Sequence, residues 1–354
     1  MEQLQRYLNH SKIDVLFKRN RDDFVVTEIP LYEFSGEGEH LIIKFRKKDL
    51  TTWDAVQIFS EQLGCKGRDI GYAGLKDKSA MTIQSISVPK SCEEKLKIFK
   101  HDNIKVLETT RHNNKIKIGH LKGNKFFIRL KRVNVIDSRK IQEAVKSIAN
   151  FGIPNYFGSQ RFGIEGDNYK KGKAIIDGEL KEKNRKLKQM YINAYQSYLF
   201  NHWLSKRIEI SKLVDAFEPK VIHEKLELPL DIVKNMKKQK HPFKLLTGDL
   251  MSHYPFGKIF HVENLEEESE KFYNRDRVAT GLLCGKKVKK SEGLAQNIEK
   301  EFDEPMTEDG TRRFAWIFPD DIETNYKEEK NWMEIQFFLP KGSYATEFIA
   351  EVIH

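Results

Sequence analysis

A carboxylate between two lysines, Lys76-Asp77-Lys78, follows the turn-forming stretch Gly71-Tyr72-Ala73-Gly74-Leu75 and precedes a strand-like run. Cations on either side favour the carboxylate anion, the form that attacks as a nucleophile or takes a proton as a base, and the same lysines could attract phosphate. By residue type alone the triplet reads more often as a solvated turn than as a site. A second cluster, Asn155-Tyr156-Phe157-Gly158-Ser159-Gln160-Arg161-Phe162-Gly163, interleaves aromatics with glycines and amides. Its rings could stack bases and Arg161 could take phosphate, although aromatic packing at a domain junction accounts for the same letters. Third, Gly123-Asn124-Lys125-Phe126 opens a basic strand and could aim the Phe126 ring at a base, with an ordinary core phenylalanine as the alternative. No phosphate-binding Walker loop, His-Glu-x-x-His or nucleophile elbow occurs. The histidines are dispersed, and Cys65, Cys92 and Cys284 are odd in number and far apart, so the sequence offers no local metal motif or disulfide framework.

These residues need a scaffold, and the charge pattern says what it should meet. The net charge is +10, and Ser91 to Val133 alone holds twelve Lys/Arg against four Asp/Glu, a surplus of eight in one short stretch. Such a field suits a phosphate backbone, or else marks strands with basic outer faces. With 354 residues two domains are expected. No apolar run reaches the roughly 18 residues of a membrane span and the N-terminus lacks a signal-like pattern, so a cytoplasmic address is expected.

Strands are expected at Phe24 to Ile29 and His40 to Phe45, followed by a helix after Thr52 with Ala55, Val56, Phe59 and Leu63 on its buried face and Gly64 closing it. Further strands are expected at Ile86 to Val88, Lys115 to Ile118 and Phe126 to Val133, the last alternating basic and apolar residues. A helix capped by Asp137 or Ser138 should run to Asn150, and Phe151-Gly152-Ile153-Pro154 marks a boundary. Beyond it the character turns helical, as in Ile192 to Leu204. Strand chemistry returns at Trp332 to Leu339, which should rejoin the first sheet if the middle is an insertion. No heptad run asks for a partner chain, so a monomer is expected.

Taken together, Asp23-Phe24-Val25-Val26, Ser35-Gly36-Glu37-Gly38-Glu39-His40, Ala73-Gly74-Leu75-Lys76-Asp77-Lys78, Lys122-Gly123-Asn124-Lys125-Phe126 and the Pro154 to Gly163 stretch resemble, in order, the TruD family of tRNA pseudouridine synthases. The likeness continues through Ser197-Tyr198-Leu199-Phe200-Asn201, Thr247-Gly248-Asp249-Leu250, Gly310-Thr311-Arg312-Arg313 and Leu339-Pro340-Lys341-Gly342-Ser343-Tyr344-Ala345-Thr346. The resemblance implies an α+β protein with the pseudouridine synthase fold, a mixed and mainly antiparallel sheet, interrupted by an inserted α/β domain. It places the catalytic domain in 1–154 and 305–354 and the insertion in 155–304. It implies Asp77 as the catalytic aspartate and Phe126 as the ring against the target base. By the same analogy Lys18, Glu28 and Asn124 lie in the cleft, while Lys76, Lys78 and Arg161 contact phosphate.

The implied reaction turns uridine into pseudouridine in tRNA, at position 13 of the D arm, after the base has been flipped out. Reactant and product are isomers, so no cofactor is expected. Whether Asp77 attacks C6 or C1′ stays open, as does the group that removes the C5 proton. The competing class is a non-catalytic RNA-binding or folding factor, against which stands Asp77, a carboxylate that repels phosphate in the middle of a basic loop.

Overall fold

The computed structural model describes residues 4–18 and 20–354. Its strands are β1 (Phe24–Pro30), β2 (His40–Lys47), β3 (Gly71–Tyr72), β4 (Met81–Pro89), β5 (Ile104–His112), β6 (Leu121–Lys131), β7 (Ile153–Pro154), β8 (Leu250–His253), β9 (Ile259–His261), β10 (Arg277–Leu283), β11 (Thr311–Phe314), β12 (Trp316–Ile317), β13 (Asp320–Lys327) and β14 (Trp332–Pro340). The chain forms two compact units. One comprises Ile13–Glu143 and Pro319–Gly342, the other Ala144–Phe318 with the N-terminal segment up to Lys12 and Ser343–His354.

The first unit is built on an eight-stranded sheet in the order β13-β14-β6-β1-β4-β2-β5, with β3 alongside β4. Among the described residues only β1 and β4 run parallel, and every other pairing in this sheet is antiparallel, the mixed and mainly antiparallel sheet that the resemblance implies. The late strand β14 does rejoin this sheet, pairing along β6 from Trp332↔Lys131 to Pro340↔Gly123. Registered partners share a face, and side chains alternate along a strand. One face therefore carries Leu41, Ile43 and Phe45 of β2 and Ile86 and Val88 of β4. It is covered by Ala55, Val56, Phe59 and Leu63 of the helix Thr52–Leu63. Gly64 closes that helix at φ 66°, a left-handed position that costs glycine little.

The structure corrects three expectations. The cap of this helix is Thr51, whose hydroxyl accepts from Asp54 N while the Asp54 carboxylate accepts from Thr51 N. The reciprocal pair leaves the Thr52 hydroxyl free for the site. The helix Val135–Phe151 begins two residues before the expected cap, because Asn134 Oδ1 accepts from Asp137 N at 2.8 Å. Lys115 to Ile118 is loop: Ile116 is buried, and its N–H donates to Ser87 Oγ at 2.9 Å instead of entering a ladder. The strand there is β5, an edge strand with one neighbour and little buried surface, so no clean alternation announced it.

The second unit has a 32-residue helix, Arg185–Ala216, and a four-stranded sheet β11-β10-β8-β9. Phe200, Trp203, Leu204, Phe243, Phe272 and Trp316 fill its core. Inside it the Arg207 guanidinium grips Asp249 through bonds of 2.6 and 2.8 Å, which gives Thr247-Gly248-Asp249-Leu250 a structural reason. Among the described residues no helix is long and apolar enough to cross a membrane.

His241 in this unit yields a pH prediction. Its Nδ1 accepts from Phe243 N at 3.0 Å, so Nε2 carries the proton and donates to Phe151 O at 3.1 Å. Its ring stacks on Phe272 at 3.8 Å. Burial pushes its pKa down to about 3. A base whose folded value is depressed contributes stability that is present above about pH 6.5 and lost as pH falls toward 3, on the order of 4–5 kcal/mol in all. Urea unfolding at pH 7 and pH 4 should show roughly two thirds of that loss in the wild type and a much smaller one in His241→Gln; equal losses would overturn the assignment.

Candidate active site

Across the middle of the same sheet face, with Phe24 and Ile128 to one side and Ile43, Leu41, Ile86 and Val88 to the other, the apolar alternation breaks on four strands. Glu28 follows Phe24 and Val26 on β1, Lys47 follows Phe45 on β2, Thr82 and Gln84 precede Ile86 on β4, and Asn124 precedes Phe126 on β6. Register sets them in two adjacent rows, Glu28 facing Asn124 in one and Thr82, which lies beside Val26, facing Lys47 in the other. Glu28, Lys47, Thr82 and Gln84 are all buried. Gly123 lets β14 approach here, since a Cβ would collide with the Leu339 carbonyl.

The segment from Ala73 to Ala80 joins β3 to β4 and carries Asp77, which is exposed. The residues on either side of the carboxylate tie it down. The Lys76 amide donates to Thr52 Oγ1 at 2.9 Å, and Thr52 in turn donates to Gln84 Oε1 at 3.2 Å. The Lys76 ammonium turns inward, donating to Asn124 Oδ1 at 2.8 Å and pairing with Glu28 Oε2 at 3.1 Å. Lys47 Nζ donates to the Asp77 carbonyl at 3.0 Å and to the Leu50 carbonyl at 2.6 Å. Burial pushes the Glu28 pKa up, against the opposing pull of Lys76 and of the Ser85 amide.

The structure thus gathers Asp77, Lys76, Glu28 and Asn124 and sorts the lysines that the sequence treated alike. Lys76 is spent on a buried ion pair, whereas Lys78 is exposed. Lys18 is exposed in the segment leading into β1. Phe126 is only 6% exposed, packed between Phe24 and Phe337 at centroid distances of 6.1 and 5.4 Å, on the same face as Glu28. Arg161 belongs to the other unit, where Nε donates to Ser197 Oγ at 2.9 Å and the guanidinium lies over Phe157. Burial lowers its pKa. The surrounding cluster is largely packing: Asn201 bonds both the N–H and the carbonyl of Phe157, and Arg313 lies over the Phe157 ring at 3.9 Å.

Lys47 and Thr52 were missed by sequence reasoning. A signal existed for Lys47, which occupies the buried phase of Leu41, Ile43 and Phe45, where a lysine is out of pattern. A cavity of about 550 Å³ opens on the opposite face of the sheet, lined by Thr27, Tyr32, Phe34, Lys44 and Glu108. Of its walls only Glu28 belongs to the cluster around Asp77. Among the described residues no group of three His, Cys, Asp or Glu stands placed to hold a metal ion.

Comparison with known proteins follows the same lines. The family model for tRNA pseudouridine synthase D (TruD) matches residues 3–183 and 180–352. A tRNA pseudouridine synthase D of Nitratiruptor sp. is 55% identical over 98% of this chain and 97% of its own. Relatives of the same description from Campylobacter jejuni and Helicobacter pylori are 49% and 47% identical, each over 98% of this chain and 95% and 94% of their own. A crystal structure of a candidate tRNA pseudouridine synthase D from Methanosarcina mazei superposes with a TM-score of 0.72, covering 99% of this chain and 95% of that one, at 21% identity, which speaks for the fold.

Proposed function

Because the chain belongs to the TruD family of tRNA pseudouridine synthases, we propose that it isomerises uridine to pseudouridine in tRNA, at uridine 13 of the D arm, with Asp77 as nucleophile. The observation that carries the reading is an exposed carboxylate whose own main chain and whose neighbour are both anchored to the polar patch of the sheet face. A nucleophile must be reachable and fixed at once.

The uridine leaves its stack so that C1′ and C6 come within reach. Asp77 attacks one of them and the glycosidic bond breaks while the base stays bound. The base rotates, C5 joins C1′, the bond to Asp77 breaks and returns its carboxylate, C5 gives up its proton and N1 gains one. Phe126, immobilised in its aromatic stack, serves as the wall against which the base packs. Asn124 and Glu28 stand beside the same face. Lys18 is assigned to the cleft, and Lys78, with Arg161 on the other unit, to phosphate. The division into a catalytic domain (1–154 and 305–354) and an inserted domain (155–304) is part of this proposal; in support, 155–304 falls wholly within one compact unit. The protein is taken to act in the cytoplasm as a monomer.

The test is incubation of the purified protein with unmodified tRNA transcripts, followed by carbodiimide mapping. Pseudouridine is expected at the D-arm position alone; tight binding without product on any tRNA would favour a binding protein instead. Lys78→Ala should weaken binding and lower the slope of log K against log salt by about one, as loss of one phosphate contact does. An unchanged slope would remove Lys78 from the contact set.

A further inference from the structure

Lys47 ends β2 in the buried phase of its strand and is 0% exposed. Lysine is almost never fully buried unless its ammonium is satisfied. Here the ammonium joins two connections, the Leu50 carbonyl just before the helix cap Thr51 and the Asp77 carbonyl in the segment that carries the carboxylate. The second bond falls on the main chain of Asp77 itself. Charged groups face it from each side: Asp77 and Asp54 favour its charge, Lys76 opposes it, and burial, the largest influence, pushes its pKa down to about 8. Thr82 lies level with it on β4.

We propose that Lys47 is the positioning residue of the Asp77 segment, a buried ammonium clamp that fixes the height of the carboxylate above the sheet by holding its carbonyl to that of Leu50. The inference rests on Asp77 being the nucleophile. A neutral side chain of equal length would fill the same space and hold neither carbonyl. Charge-assisted bonds of this kind are the stronger class, so the clamp should outlast ordinary loop motion.

Lys47→Met and Lys47→Arg separate a clamp from a filler. In Lys47→Met, amide hydrogen exchange over residues 73–80 should quicken at least about tenfold, a readout that needs no RNA. The single-turnover rate should fall on the order of 100-fold, the usual effect of misplacing a catalytic group by about 1 Å, with tRNA affinity within about twofold. Lys47→Arg, which keeps charge and donors, should recover most of both. A filler gives the reverse order, methionine tolerated and the larger arginine harmful, and that order would overturn the proposal. Should Lys47→Met fail to fold, exchange in Lys47→Arg decides: protection near wild type supports the clamp, and tenfold loss counts against it. A wild type inactive on every tRNA, with the loop still loosened in Lys47→Met, sinks the pseudouridine reading and leaves the clamp standing. An active wild type with unchanged exchange and rate in Lys47→Met sinks the clamp alone.

Discussion

Asp77→Asn should reduce pseudouridine formation on tRNA by on the order of 10⁴-fold or more, the scale on which removal of a nucleophile acts, while leaving the protein folded and able to bind RNA. The side chain is exposed, so the fold should survive the substitution, at the cost of the charge that supports the buried Lys47 ammonium. The main-chain carbonyl that Lys47 holds survives the change. Asparagine matches the carboxylate in shape but does not form the covalent intermediate. Affinity should stay level or rise slightly, since a negative charge is lost from a surface meant for phosphate. Asp77→Glu retains the chemistry but carries the carboxylate outward by more than an ångström, and should cost on the order of 10²-fold. The measurement is single-turnover conversion of a D-arm transcript at saturating enzyme, with affinity taken from filter binding. A rate within tenfold of wild type in Asp77→Asn would remove Asp77 from the mechanism, whatever the family resemblance.

Much of the scaffold was legible because it rests on periodicity. The helix Thr52–Leu63 followed from Ala55, Val56, Phe59 and Leu63 on one face, and β14 from alternation that also announced its return to the sheet. What escaped was set by partners distant in sequence. β5 survives as an edge with one neighbour, and the Lys115 to Ile118 run obeys Ser87 rather than its own propensity. The site was legible in a form that motif reading passes over. Glu28, Lys47, Thr82, Gln84 and Asn124 are each a polar residue in the apolar phase of a strand, grouped across the middle of one face. Five such breaks on four strands mark a place where the sheet forgoes burial for chemistry. The Lys76-Asp77-Lys78 triplet looks symmetric as letters, and only the fold separates a lysine turned into the sheet from one left at the surface.

That asymmetry makes Lys76 the second residue with a large expected effect, and on stability first. Its ammonium and the Glu28 carboxylate are 8% and 3% exposed and 3.1 Å apart. Removing one member of a buried pair strands the other, a loss of about 3–5 kcal/mol, whereas replacing both by neutral groups is often close to neutral. Lys76→Met should therefore destabilise strongly in urea, and the double substitution Glu28→Gln with Lys76→Met should be more stable than Lys76→Met alone. The pH dependence has a definite sign. Burial already raises the Glu28 pKa above its ordinary 4.5 with the lysine present, and without it the value rises further. A carboxyl whose folded pKa is raised contributes stability that is full below the ordinary value and lost as pH climbs through the folded one. The penalty in Lys76→Met should accordingly be large at pH 7 and shrink toward pH 4, where Glu28 is protonated whether folded or not. Because Lys76 also holds Asn124, the folded fraction of Lys76→Met should turn over more slowly, yet with the salt slope of RNA binding unchanged, in contrast to Lys78→Ala. A salt slope lowered by about one, with stability intact, would instead return Lys76 to the phosphate backbone and show that the buried pair opens when RNA arrives.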